Sequence, residues 1–226
     1  MVVDQGCRAA GWTLVTAAAA PAVLVVAAIL ARAALTTSYD SLSETLSVLA
    51  GRGSGQGIMT AGFMLSAACQ IATAMGLRVV RLSARIALAT AGCCGLVVAA
   101  FPVTVRANES THLLAAGGGL IALALVPILG MSSGSTTPLV CRPRWALTAT
   151  LVLCALVLWV YYEANHGVFL GLAERLTAVA GLTWPVVVVV FARRVQVGER
   201  SLAGPLQPKP VPRERIRIGN RYAQRC

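Results

Sequence analysis

Charge is the first scarcity: only 12% of the 226 residues are Asp, Glu, Lys or Arg. A water-soluble domain of this length carries about twice that fraction. Aromatics are few as well, at 5%, so the 57% hydrophobic content is mostly Ala, Val and Leu. With a mean hydropathy of +0.76, these deficits exclude an ordinary soluble domain and imply a chain that crosses a bilayer several times. Seven cysteines form no C-x-x-C pair, and Cys69, Cys93, Cys94 and Cys154 sit inside apolar runs. An odd count without paired spacing argues against a disulfide framework or a zinc ribbon. Lysine is nearly absent: Lys209 is the only one, and the remaining basic residues are arginines that give a net charge of +11. No interleaving of basic and aromatic residues marks a nucleic-acid surface, and nucleic acid is not expected as a partner.

What is present is a set of long apolar runs. Six are long enough to cross a bilayer, which takes about 20 residues. They cover roughly residues 12–35, 58–77, 86–103, 113–131, 145–162 and 172–192. The fold class is therefore all-α, a polytopic transmembrane bundle of six spans. Residues 1–11 form a short leading segment. Residues 193–226, basic and Pro-rich, read as a disordered tail, able to lie against anionic lipid. The first run is too long for the apolar core of a signal peptide and reads as a retained helix. Of the 19 basic residues, 15 fall before span one, between spans two and three, between spans four and five, or after span six. Positive residues mark the cytoplasmic side, so both termini are expected there. Asp40, Glu44, Glu109, Glu163 and Glu174, with both histidines, fall at the opposite mouth.

The longest connection at that mouth is residues 36–57. Ser41-Leu42-Ser43-Glu44 reads as a capping box with Ser41 as N-cap. Leu42, Leu46 and Leu49 then recur at helical spacing. A short amphipathic helix is expected, lying on the membrane or folded over the bundle. Pro21, Pro127 and Pro185 lie inside spans and are expected to kink them. No internal repeat supports an inverted-repeat transporter, and no acid or base lies at mid-span, where a coupling site is expected.

Two E-x-x-H spacings stand out, Glu109 with His112 and Glu163 with His166. At i and i+3 on a helix, both side chains share a face. Paired on facing helices, with further acids such as Glu174 and Asp40 or Glu44, they would suit a divalent metal. The same histidines, oriented by a carboxylate, would suit general-base activation of water or Ser41, although no G-x-S-x-G elbow is present. The structural alternative is a set of hydrogen-bonded interfacial groups, with Glu174 and Arg175 neutralised across the bundle because charge at the hydrocarbon edge is costly. Two function classes stay open. One is a non-enzymatic component binding a lipid headgroup, small ligand or partner through Asp40, Glu44, Glu174 and Arg175. The other is a metal- or His-dependent hydrolase acting at the outer leaflet.

Three pieces of the chain carry a family likeness: SYDSLSETLSVLAGRGS (38–54), the Phe101-Pro102 step followed by His112, and GLAERL (171–176). Together they resemble a bacterial six-helix membrane family known only as domain of unknown function 998. The resemblance aligns Tyr39, Ser43 and Ser47 with that family's Tyr and Ser positions after span one. It aligns His112 with the His at the head of span four, and Glu174-Arg175 with the pair opening span six. It implies the six-span fold, in a bacterial plasma membrane, and supplies no reaction. One departure is that PVTVRANES (102–110) lacks the Asp that members carry after the proline closing span three.

Overall fold

The computed structural model describes residues 11–102, 109–133 and 138–203, with side chains to residue 195. Seven helices follow in order: α1 (Thr13–Ala34), α2 (Leu46–Ala50), α3 (Gln56–Gly76), α4 (Leu82–Ala100), α5 (Glu109–Leu129), α6 (Pro143–His166) and α7 (Leu170–Ala203). No strand occurs among the described residues. All but α2 are long and apolar enough to cross a membrane. Helices satisfy their own backbone, which is why they suit a solvent without hydrogen-bonding capacity. Pro21, Pro127 and Pro185 are accommodated within α1, α5 and α7.

Each long helix packs on its neighbour in sequence, and α7 returns to α1, so the bundle closes. Helix α5 also touches α7 behind α6. Helix α6 therefore rides on the outside, with Trp145, Leu151, Leu158, Tyr161 and Tyr162 exposed. Small residues bring the inner helices close, since attraction between helices in lipid comes from packing rather than from a hydrophobic drive. Gly62 lets α3 meet Ala27 of α1 where any Cβ would overlap. Beside it, Ser66 Oγ donates to the Ala20 carbonyl at 2.9 Å. Gly95 and Gly119 bring α4 against Ala67 and α5 against Cys94, whereas Gly117 faces open space.

The connections divide between two mouths. At one, Arg85 Nε donates to the Ala74 carbonyl at 2.7 Å, Ser83 Oγ to the Leu129 carbonyl at 3.1 Å, and Arg193 to the Gly11 carbonyl. The first two acceptors are carbonyls at the C-terminal ends of α3 and α5, which the helices themselves leave unsatisfied. At the other mouth, the 36–55 segment folds over the bundle, and α2 roofs it with Leu46, Ser47, Leu49 and Ala50 buried.

Two expectations need correction here. The N-cap of α2 is Thr45, whose Oγ1 accepts from Val48 N at 3.2 Å, not Ser41, and Leu42 is exposed rather than part of the apolar face. Helix α7 runs past residue 192 to Ala203, so the first part of the expected tail is helical. Residues 1–10 and 204–226, including most of that tail, lie outside the described residues.

Candidate functional site

The roofing segment is built around Asp40. Its carboxylate accepts from Leu42 N at 3.0 Å and Ser43 Oγ at 2.7 Å, while Asp40 N donates to Glu44 Oε2 at 2.9 Å. The Asp40 carboxylate thus closes an Asx turn, and Glu44 reaches back to the Asp40 N–H, so the box expected at Ser41 does not form. The backbone N–H of Leu42, then the Ser43 hydroxyl, hold the Asp40 carboxyl below its ordinary range. Glu44 Oε1 pairs with Arg52 Nη1 at 2.8 Å, the one ion pair among the described residues.

Arg175, in the first turns of α7, is the keystone between the transmembrane helices and this segment. Its Nη1 donates to the carbonyls of Ser41 (2.7 Å), Glu44 (2.9 Å) and Gly171 (2.6 Å). Its Nη2 donates to the Tyr39 hydroxyl, which in turn donates to the Glu44 and Thr45 carbonyls at 3.1 and 2.9 Å. Burial, outweighing the nearby Arg175 charge, raises the Tyr39 phenol above its ordinary value, so it stays a donor. The approach is close enough that a Cβ on Gly171 would overlap the Glu44 carbonyl oxygen. Arg32, at the end of α1, donates to the Tyr39 carbonyl at 3.2 Å and to the Ser41 hydroxyl.

Glu174 and Arg175 diverge instead of pairing with each other. Glu174 Oε2 accepts from Leu46 N at 2.6 Å, capping a free N–H of α2. Each of the two groups finds its partner in the segment after span one, not across the bundle.

The two histidines share this mouth but separate environments. His112, 2% exposed, lies under α2. Its Nδ1 is 2.7 Å from the Phe101 carbonyl and its Nε2 is 2.8 Å from Ser47 Oγ. A carbonyl can only accept, so Nδ1 carries the proton. Nε2 of the neutral ring then accepts from the Ser47 hydroxyl. His166 is exposed, stacked on Tyr162 at 4.7 Å between ring centroids, with Nδ1 3.1 Å from the Tyr162 carbonyl. Glu163 is buried, accepting from Trp159 Nε1 at 3.1 Å and from Phe169 N at 2.9 Å. It caps the approach to α7. Glu109 is exposed at the start of α5. The residues of each E-x-x-H pair thus part company, and no group of three or more His, Cys, Asp or Glu converges among the described residues.

Two cavities open beneath the roof. A groove of about 300 Å³ lies between α1 and α7. Val25, Ala28, Ile29 and Val179 form its apolar length, and Arg32, Tyr39, Ser41 and Arg175 its polar end. A central cavity of about 100 Å³ lies inside the ring of α1, α3, α4, α5 and α7, with no residue of α6 in its wall. Ser47 and Glu174 stand at its roof, and Ser66 and Gln70 lie deeper. Gln70 is 8% exposed, and its Oε1 has no hydrogen-bond partner among the described residues. Neither Arg32 nor Gln70 stood out as a site residue in the sequence. Each carried a signal nonetheless, a charge closing an apolar run and an amide within one.

The architecture defines a multi-pass membrane protein with a polar roof over one mouth. Residues 17–191 match the family described as "Protein of unknown function (DUF998)", and the chain belongs to it. No curated protein and no solved structure matches the chain.

Proposed function

We propose that the protein binds the phosphate of a membrane lipid at the polar end of the α1–α7 groove. The groove carries the reading: guanidinium groups at one end and apolar side chains along the rest reproduce the division of a phospholipid into headgroup and chain. Arg32 and Arg175 direct their described hydrogen bonds to neutral oxygens, and among the described residues no carboxylate lies within ion-pair distance of either. Charge at the hydrocarbon edge is costly unless compensated, and a phosphate is the anion that guanidinium groups match bidentately. Arg78, Arg81, Arg85, Arg142, Arg144, Arg193 and Arg194 stand at the opposite mouth, and the positive-inside bias supports an outer-leaflet groove.

The test is native mass spectrometry of the purified chain titrated with phosphatidylglycerol. Arg32→Gln should weaken the first binding step by about 10-fold or more, the scale of one lost charge-assisted contact. Arg78→Gln, at the other mouth, should leave it unchanged. Equal affinity for wild type and Arg32→Gln would remove the groove from consideration.

A further inference from the structure

Ser47, in the wall of the central cavity, belongs to a pairing that the groove does not use, with His112 set behind it. Ser47 and His112 are 65 residues apart in sequence, both buried, and joined by a 2.8 Å hydrogen bond. The Phe101 carbonyl fixes the imidazole with its proton on Nδ1, which leaves the Nε2 lone pair on the serine hydroxyl. That is the orientation a serine nucleophile requires of its base. Here the orienting acceptor is a carbonyl rather than a carboxylate. Ser47 also lines the cavity, so its oxygen borders a space that another molecule can enter. Deeper in the same space, the Gln70 acceptor has no partner among the described residues, and a buried acceptor is seldom left unmatched. A ligand carrying a hydroxyl or amide donor would match it.

We propose that Ser47 and His112 form a nucleophile–base pair that hydrolyses esters of a short acyl group lodged in the central cavity. The size of the cavity sets the substrate class. An engineered cavity of roughly 150 Å³ takes up benzene. The space here, about 100 Å³, accepts an acyl group of a few carbons and excludes a lipid chain. In acylation, Ser47 Oγ bonds to the ester carbonyl carbon as its proton passes to His112 Nε2. The carbon–alkoxy bond breaks, and the departing alcohol takes that proton. In deacylation, water bonds to the acyl carbon and gives a proton to Nε2. The carbon–Oγ bond then breaks and the proton returns to Oγ. The sum is ester plus water to acid plus alcohol, with no redox partner. This inference stands independently of the headgroup reading, because it uses a different cavity.

The experiment is labelling of the intact, detergent-purified chain with diisopropyl fluorophosphate, a short-armed serine reagent, read by peptide mass spectrometry. Wild type should be modified once, on Ser47, and should hydrolyse p-nitrophenyl acetate faster than p-nitrophenyl decanoate. Labelling at that position should vanish in Ser47→Ala. His112→Gln keeps a donor for Phe101 and an acceptor for Ser47 but has no basic nitrogen. Its labelling should slow by about 100-fold or more, the usual scale of general-base assistance, while it elutes as wild type on size exclusion. Wild type that stays unlabelled while correctly folded overturns the proposal, as does His112→Gln that labels at the wild-type rate. The phosphatidylglycerol titration is indifferent to either result, so failure here and failure of the headgroup reading are separable.

Discussion

Replacing Gly171 with alanine tests whether the roof is held by the start of α7. The added Cβ would overlap the Glu44 carbonyl oxygen and stand 2.8 Å from the Ser41 carbonyl oxygen and 2.7 Å from Arg175 Nη1. Two of these obstacles are backbone atoms, which cannot swing aside as a side chain does. The roofing segment must therefore retreat by about 1 Å to reach ordinary van der Waals separation. The same carbonyls accept from Arg175 at 2.7 and 2.9 Å, and Leu172 N donates to the Leu42 carbonyl at 3.0 Å. A hydrogen bond to a charged donor contributes about 1.5–3 kcal/mol. Arg175 is only half-buried, which reduces that, and alanine's better helix propensity returns up to about 1 kcal/mol. The net cost is about 2–3 kcal/mol. At roughly 2–4 °C per kcal/mol for a chain of this size, Tm should fall by about 4–12 °C. The assay is thermal unfolding of purified protein in detergent, followed by fluorescence size exclusion. Gly117→Ala is the control, since no atom lies within 4 Å of its Cβ position, and it should not lose stability. A Gly171→Ala variant melting within 1 °C of wild type (about half a kcal/mol or less) would refute the reasoning.

Two other outcomes follow. The Asp40 carboxyl titrates below its ordinary value when folded; a depressed carboxyl adds stability above its unfolded pKa of about 4, and that increment disappears as pH falls through the folded value. Asp40→Asn should therefore melt below wild type at neutral pH, and the gap should narrow as the pH is taken below about 4 in the same thermal assay. Membrane orientation is tested with single cysteines in a cysteine-free background: an impermeant maleimide added to whole cells should label Ser54→Cys and spare Arg144→Cys. The reverse pattern would place the groove in the inner leaflet.

The six spans were legible because hydropathy and length alone decide whether a helix can cross a bilayer, and α1 begins and ends within a residue of the expected run. The polar mouth was legible too, from the alternation of charge between connections. Its wiring was not. The i, i+3 rule placed Glu109 with His112 and Glu163 with His166, but it applies to the faces of a helix interior. These residues stand at helix ends, where each side chain meets a different environment. Glu163 turns inward to the Phe169 N–H while His166 stacks outside on Tyr162. Nothing in the local pattern around Ser47 pointed to His112, because it cannot show which face of α2 turns inward. Its partner is 65 residues away, and that distance is set by the packing of α2 over α5, a tertiary fact. The family likeness did single out Ser47 and His112, though without joining them. Glu174 and Arg175 were expected to be neutralised across the bundle. Instead, both serve the segment after α1, because exposed backbone groups there offer nearer partners.

The peripheral position of α6 also sets a depth. Trp145 and Tyr161, both exposed, lie sixteen residues apart on one helix, about 24 Å along its axis. Amphipathic rings settle where hydrocarbon gives way to water, and the hydrocarbon slab is about 30 Å thick. Helix α6 thus works as a gauge fastened to the side of the molecule, fixing how far it sinks into the bilayer. Tyr162 lies four residues from the end of α6, and Arg175 five from the start of α7, each about 6–8 Å from its helix terminus. Counted from the short turn that joins the two helices, the ring and the guanidinium thus stand at similar distances from that mouth's edge.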